Sequence, residues 1–131
     1  MSVAYWMIVV MLLMPMVLAG IAKSQPGYDN ARPREWLAQL DGFRQRAHWA
    51  QLNTYESLPG FFAAVIIAHQ LNANQLWIDG LALGFVVFRI GYSWSYINDR
   101  PGLRSLVWSA ALLCVLGLFA LAALTGIGGP T

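Results

Sequence analysis

Four long apolar stretches constrain this chain more than any other feature of its sequence. Residues 3–22, 52–71, 76–97 and 106–124 are largely apolar, and each is close to the roughly 20 residues that a helix needs to cross a bilayer. Lipid offers no hydrogen-bond partners to a peptide backbone, so such segments cross as helices. The sequence therefore predicts an all-α, integral membrane four-helix bundle. We expect one four-span domain over residues 1–131, with helices at about 3–22, 36–71, 76–98 and 104–124.

Composition excludes several other classes of protein. Hydrophobic residues make up 58% of the 131 residues and charged residues 11%, whereas soluble domains average about 45–50% and about 25%. The formal net charge of +2 is too small for a nucleic-acid-binding surface. The single cysteine precludes an intrachain disulfide. The two histidines, His48 and His69, lie at opposite ends of one predicted helix, so no metal site is expected.

The basic residues indicate how the chain sits in the membrane. Five of them precede or begin the second predicted helix, two lie between the third and fourth, and none lies between the second and third: Lys23, Arg32, Arg34, Arg44 and Arg46, then Arg100 and Arg104. By the positive-inside rule both basic loops face the cytoplasm and both termini lie outside. The first stretch lacks the basic N-terminal region of a signal peptide, which favours a membrane span there.

A few polar residues interrupt the apolar stretches, and intramembrane polar groups mark function by default. At about 100° per residue, Arg46, Asn53, Glu56 and Gly60 share a face of the second helix. One side of the third helix carries Arg89, Tyr92, Tyr96 and Arg100, and the opposite side carries Gly80, Gly84 and Gly91. Glycines at this spacing favour close helix packing.

Each polar group has a structural and a functional interpretation. Glu56 and Arg89 are expected to form an ion pair, which can also border a polar pocket open to the cytoplasm. Tyr92 and Tyr96 fit either an interfacial aromatic belt or a pair of hydroxyl donors to an anion. Arg100 and Arg104 fit either membrane anchors or an anion clamp.

Two sequence blocks resemble the MAPEG family, the membrane-associated proteins in eicosanoid and glutathione metabolism. Ala50, Asn53, Glu56 and Pro59 match its AxxNxxExxP motif. Arg89, Tyr92 and Tyr96 match a second block near the end of the third helix, and residues 99–105 are similar to the following turn of prokaryotic members. The resemblance extends from about residue 44 to residue 124.

The resemblance implies a left-handed four-helix bundle that assembles as a homotrimer and binds glutathione, as its thiol substrate, between adjacent subunits. Gln51, Asn53 and Glu56 would contact glutathione from the second helix, and Tyr92 and Tyr96 from the third helix of the neighbour. Arg104 would stabilise the thiolate, with Tyr92 as the other catalytic candidate. The remaining arginines of the implied binding set, which would hold the glutathione carboxylates, are Arg46, Arg89 and Arg100.

Two functions follow as hypotheses from the resemblance. The first is a glutathione-dependent transferase or peroxidase that acts on lipophilic electrophiles arriving laterally from lipid, in a prokaryotic cytoplasmic membrane. The alternative is a non-catalytic lipid-binding or accessory subunit. It is motivated by Trp49, which stands where many glutathione-using members carry an arginine, and by the one-residue offset of Arg104. A four-span drug–proton exporter is disfavoured, because the first predicted helix carries no charge.

Overall fold

All the regular secondary structure in the residues that the structure describes is helical. This structure is a computed structural model that describes the backbone of residues 1–128 and the side chains of residues 1–126. Five helices follow one another: α1 (Val3–Ala22), α2 (Pro33–Ala38), α3 (Gly42–Gln70), α4 (Gln75–Ile97) and α5 (Pro101–Gly128). The predicted all-α class is confirmed.

The apolar helices fit a membrane protein. Among the described residues, three helices are long and apolar enough to cross a membrane: α1, α4 and the Pro101–Gly126 part of α5. Helix α3 is not among them, because polar side chains are distributed along it. Its 29 residues extend over about 44 Å, which exceeds a hydrocarbon core of about 30 Å. A fourth crossing by α3 stays a prediction.

The second predicted helix, residues 36–71, is in fact two helices. Its first part is the short helix α2, and α3 begins only at Gly42, whose φ is +60°. A Cβ atom is disfavoured at such a φ, so glycine permits the chain to change direction there. Leu37 and Leu40 are thereby buried against Ala22 and Ala47. Apolar spacing alone misses this break, because the pattern continues across the turn.

The last helix begins three residues before the predicted residue 104. Pro101 is its first residue, a position where the missing N–H of proline removes no helical hydrogen bond. The preceding turn contains Asp99 with a φ of +55°. Arg104 therefore lies within the first turn and a half of α5, where the helix holds its side chain on a defined face.

Helices α3 and α4 form the centre of the bundle, since each contacts the other and also both α1 and α5. Their core contact includes Phe61 stacked on Phe85 with ring centroids 4.1 Å apart. The glycine-bearing side of α4 faces α5: a Cβ at Gly84 would lie 3.3 Å from the Cys114 sulfur, and one at Gly91 would lie 3.6 Å from Val107. The opposite side of α4, which carries Arg89, faces α3.

One end of the bundle is basic. The C-termini of α1 and α4 meet the N-termini of α3 and α5 at this end: Arg44 donates to Ser24 Oγ at 2.9 Å, and Arg46 donates to the Ile97 carbonyl at 3.0 Å. Seven of the eight Lys and Arg residues belong to these termini and the segments between them, the eighth being Arg89. At the other end, Asp79 Oδ1 accepts the Ala4 N–H at 2.9 Å and Gln75 Nε2 at 2.8 Å. The fold thus gathers the basic loops on one side, as the positive-inside argument requires.

Candidate functional site

A polar recess lies between α3 and α4, toward the basic end of the bundle. It has a volume of about 430 Å³, and the side chains that line it come from one face of each helix: Trp49, Leu52, Asn53, Glu56, Tyr92 and Tyr96. The spacing of 3 or 4 residues explains why they converge, because side chains at i, i+3 and i+4 lie on the same side of a helix. We refer to this space as the recess.

Arg89 lies beneath the recess and is the largest fully buried side chain, with 1% of its surface exposed. Its Nη2 donates to Asn53 Oδ1 at 3.0 Å and to Thr54 Oγ1 at 3.3 Å. The guanidinium also stacks over the Tyr92 ring, 4.2 Å from its centroid. Thr54 in turn donates its hydroxyl hydrogen to the Ala50 carbonyl at 2.7 Å. Arg89, Asn53, Thr54 and the Ala50 carbonyl form a buried hydrogen-bond network, which we call the Arg89 network.

The expected ion pair between Glu56 and Arg89 does not form. In the described part of the chain, the one salt bridge joins Arg32 to Glu35 on the surface. Glu56 stays exposed, so its carboxylate keeps its hydration and avoids the desolvation cost of a buried pair. Arg89 instead donates to two neutral side-chain oxygens on α3, those of Asn53 and Thr54.

Aromatic rings form the wall of the recess on the α4 side. Tyr92 is 4% exposed and meets Tyr96 edge to face, with centroids 5.7 Å apart. The Trp49 ring extends from α3 toward α4, and its centroid lies 6.3 Å from the centroid of the Tyr96 ring. The Arg104 guanidinium lies 4.5 Å from the Tyr96 centroid. Helix α5 therefore contributes a cation at the edge of the recess.

The structure brings together most of the predicted site residues within one chain. Asn53, Glu56, Tyr92 and Tyr96 line the recess, Arg89 lies under it, and Arg104 lies at its edge. The three other predicted contacts lie elsewhere: Arg46 donates to the Ile97 carbonyl at the end of α4, Arg100 stacks over Trp94, and the buried Gln51 Oε1 has no partner among the described residues. Arg46 thereby satisfies a carbonyl that α4 leaves free at its C-terminus.

A second, mostly apolar cavity adjoins the recess. Its volume is about 270 Å³, and Asn53, Glu56 and Arg89 form its polar edge. The rest of its lining comes from α3, α4 and α5: Ser57, Gly60, Phe61, Phe85, Trp108, Ala111, Leu112 and Val115. Sequence reasoning missed this cavity. The residues of α5 recur at helical spacing, but nothing in the sequence tells which helix they face.

Other reactive side chains do not form a site in the described residues. No three His, Cys, Asp or Glu side chains there are arranged to hold a metal ion. Cys114 is buried in the α4–α5 contact.

A comparison with protein families agrees with this architecture, although one with individual curated proteins finds no relative. A search of curated proteins gives no significant match. A profile of the MAPEG family, in contrast, matches residues 3–124, a range that includes all of α1, α3 and α4. The AxxNxxExxP residues lie on α3 beside the Arg-and-Tyr block of α4, and Asn53 of the motif donates no hydrogen to Arg89 but accepts one from it beneath the recess. The chain belongs to the MAPEG family.

Proposed function

We propose that this protein is a glutathione-dependent transferase or peroxidase that acts on lipophilic electrophiles. One observation carries the proposal: the polar recess and the apolar cavity have Asn53 and Glu56 in common as lining residues. A polar thiol in the recess and an apolar acceptor in the cavity would meet at these two side chains. Two adjoining sites of opposite polarity suit a reaction between a water-soluble and a lipid-soluble substrate.

The recess has the chemical groups that glutathione requires. Glu56 is an exposed carboxylate without an ion-pair partner in the described residues, and it can bind the glutathione ammonium group. Tyr92 and Tyr96 supply phenolic hydroxyls, and Arg104 supplies a guanidinium beside them. A cation close to the sulfur favours the thiolate, which is the nucleophilic form.

The cavity suits the acceptor. Its apolar lining includes the Phe61–Phe85 stack and Trp108, which is partly exposed at the surface of α5. An apolar molecule dissolved in lipid would enter sideways between α3 and α5. In the transferase reaction the thiolate attacks the electrophilic carbon, a carbon–sulfur bond forms, and the leaving group departs with its electron pair.

The proposal includes a homotrimer in the cytoplasmic membrane with both termini outside. The recess is open on one side in a single chain, and exposed apolar side chains occur along every long helix. A neighbouring subunit would cover part of this surface, as the family resemblance implies. With the basic end in the cytoplasm, the recess opens to the reducing compartment in which thiols persist.

Glutathione binding to the detergent-purified trimer tests the proposal. Calorimetry would compare wild type with Glu56→Ala and Arg104→Ala, and Glu35→Ala serves as a surface control because Glu35 pairs only with Arg32. Wild type and the control should bind alike, and both site variants should bind more weakly. A lipophilic aryl halide then tests turnover. A folded protein that binds no glutathione refutes the proposal.

Trp49 favours the alternative, a non-catalytic lipid-binding or accessory subunit. Its side chain is 43% exposed, lines the recess and packs against Tyr96. Many glutathione-using relatives have an arginine at this position, so a bulky ring here removes one carboxylate contact. This alternative predicts no glutathione binding by wild type and a stoichiometric lipid or protein that co-purifies.

A further inference from the structure

We infer that Arg89 is a positioning residue: together with Thr54 it holds the Asn53 amide so that its NH₂ group faces the recess. The site then requires a hydrogen-bond acceptor on the ligand at this point. The inference rests on the proposed function for the identity of the ligand. It also gives Arg89 a different role from the direct glutathione contact that the family resemblance implies.

The polarity of the network follows from what each group can donate. A guanidinium has only donors, so the Asn53 atom 3.0 Å from Arg89 Nη2 is the carbonyl oxygen. The Thr54 hydroxyl gives its hydrogen to the Ala50 carbonyl, so it can only accept from Arg89. The donors of Arg89 therefore determine the orientation of the Asn53 amide.

The free end of the amide faces the recess. The nitrogen and oxygen of an amide diverge from one carbon, so an oxygen turned toward buried Arg89 turns the NH₂ group away from it. Asn53 lines both the recess and the adjoining apolar cavity. In the described part of the chain Nδ2 has no hydrogen-bond partner, and it is not among the buried unsatisfied atoms. Two N–H donors thus remain available to a ligand.

The charge of Arg89 strengthens this preference. Its guanidinium has no ion pair in the described residues, and its positive charge polarises an amide that accepts from it. The outward N–H groups become better donors, above all to an anionic oxygen. A carboxylate oxygen of glutathione is the acceptor that fits. Glu56, one turn further along α3, would instead bind the positively charged ammonium group of the same molecule.

Asn53→Asp separates the positioning role from a merely structural one. The aspartate keeps an oxygen toward Arg89 and adds an ion pair, so the melting temperature should equal or exceed that of wild type. Its other oxygen faces the ligand as an acceptor, so the dissociation constant for glutathione should rise about tenfold or more. If the Asn53–Arg89 contact served stability alone, this variant would bind glutathione as wild type does, and that result overturns the inference.

Thr54 supplies a matched pair of variants. Thr54→Val keeps the shape but removes the oxygen that accepts from Arg89, so glutathione binding should weaken several-fold. Thr54→Ser keeps that oxygen and should bind glutathione with the affinity of wild type. Equal affinities for the two variants would contradict the role of Thr54 in orienting the amide.

The failure of the proposed function would look different. If wild type binds no glutathione, a double-mutant cycle of Asn53→Ala and Arg89→Met on the melting temperature decides the positioning part. Non-additive shifts would support the Asn53–Arg89 coupling, and the ligand would be reassigned. Additive shifts would mean that Arg89 does not hold Asn53, which overturns the inference.

Discussion

Gly84→Ala should destabilise the bundle relative to Gly80→Ala, although both changes occur in the same helix. A Cβ at Gly84 would lie 3.3 Å from the Cys114 sulfur, whereas a Cβ at Gly80 would have no neighbour within 4 Å. Both variants gain the same helix propensity, about 1 kcal/mol, so this term cancels in the comparison. The sulfur must move by a few tenths of an ångström to admit the methyl group, so the expected difference is about 1 kcal/mol, the lower end of typical overpacking costs.

Cys114→Ala tests whether the sulfur is the cause. Alone, it should lower stability, because it leaves a space in the α4–α5 contact. Combined with Gly84→Ala, it removes the obstructing atom, so the two effects should be coupled by about 1 kcal/mol or more. Gly91→Ala is a second control in the same contact, since its Cβ would meet Val107 at 3.6 Å, an ordinary contact distance without a steric cost.

Reversible unfolding in mixed micelles, followed by circular dichroism, measures these differences. Gly84→Ala is expected to be less stable than both Gly80→Ala and Gly91→Ala. Equal stability of Gly80→Ala and Gly84→Ala, or additive effects of Gly84→Ala and Cys114→Ala, would refute the reasoning. The α4–α5 contact would then not depend on the absence of a side chain at Gly84.

Three further predictions concern the recess and the helix ends. Glu56→Gln should raise the dissociation constant for glutathione about tenfold, because a neutral amide can accept a hydrogen bond from the ammonium group but provides no ionic attraction; calorimetry checks this, and unchanged affinity would exclude the ion pair. Arg104→Gln should move the rising limb of the conjugation pH profile to higher pH, because the thiolate loses its cation. Arg104→Lys should show a smaller displacement, and a profile identical to wild type would remove Arg104 from thiolate stabilisation. Asp79→Ala should lower stability by about 1–2 kcal/mol, since the Ala4 N–H at the start of α1 loses its acceptor. Asp79→Asn retains an acceptor oxygen and should lose less in thermal unfolding, whereas equal losses would exclude the hydrogen bond as the cause.

The candidate site could be predicted from the sequence to the extent that it depends on single helices. Asn53 and Glu56 share a face of α3, and Tyr92 and Tyr96 share a face of α4, because their spacing determines this in any helix. The family motif supplied the expectation that these two faces belong to one site. That expectation placed the tyrosines on a neighbouring subunit, whereas the recess brings the two faces together within one chain, with Arg104 at its edge on α5.

Predictions that paired one helix with another were less successful. Glu56 and Arg89 looked like partners because they carry opposite charges, but Arg89 donates to Asn53 and Thr54 while Glu56 stays exposed. The choice depends on the rotation of α4 against α3 and on the cost of desolvating a carboxylate. Neither quantity can be read from spacing along one chain.

The sequence by itself determined the all-helical class, the membrane character and the family, because apolar length, backbone hydrogen bonding and a local motif are properties of consecutive residues. It also determined that seven of the eight basic residues precede or begin the second and fourth predicted helices. Only the tertiary structure decided that Arg89 donates a hydrogen bond to Asn53, that Arg46 donates one to the last turn of α4, and that an apolar cavity adjoins the recess. These three facts depend on how the helices rotate and slide against one another, and that register is decided by packing between residues far apart in the chain.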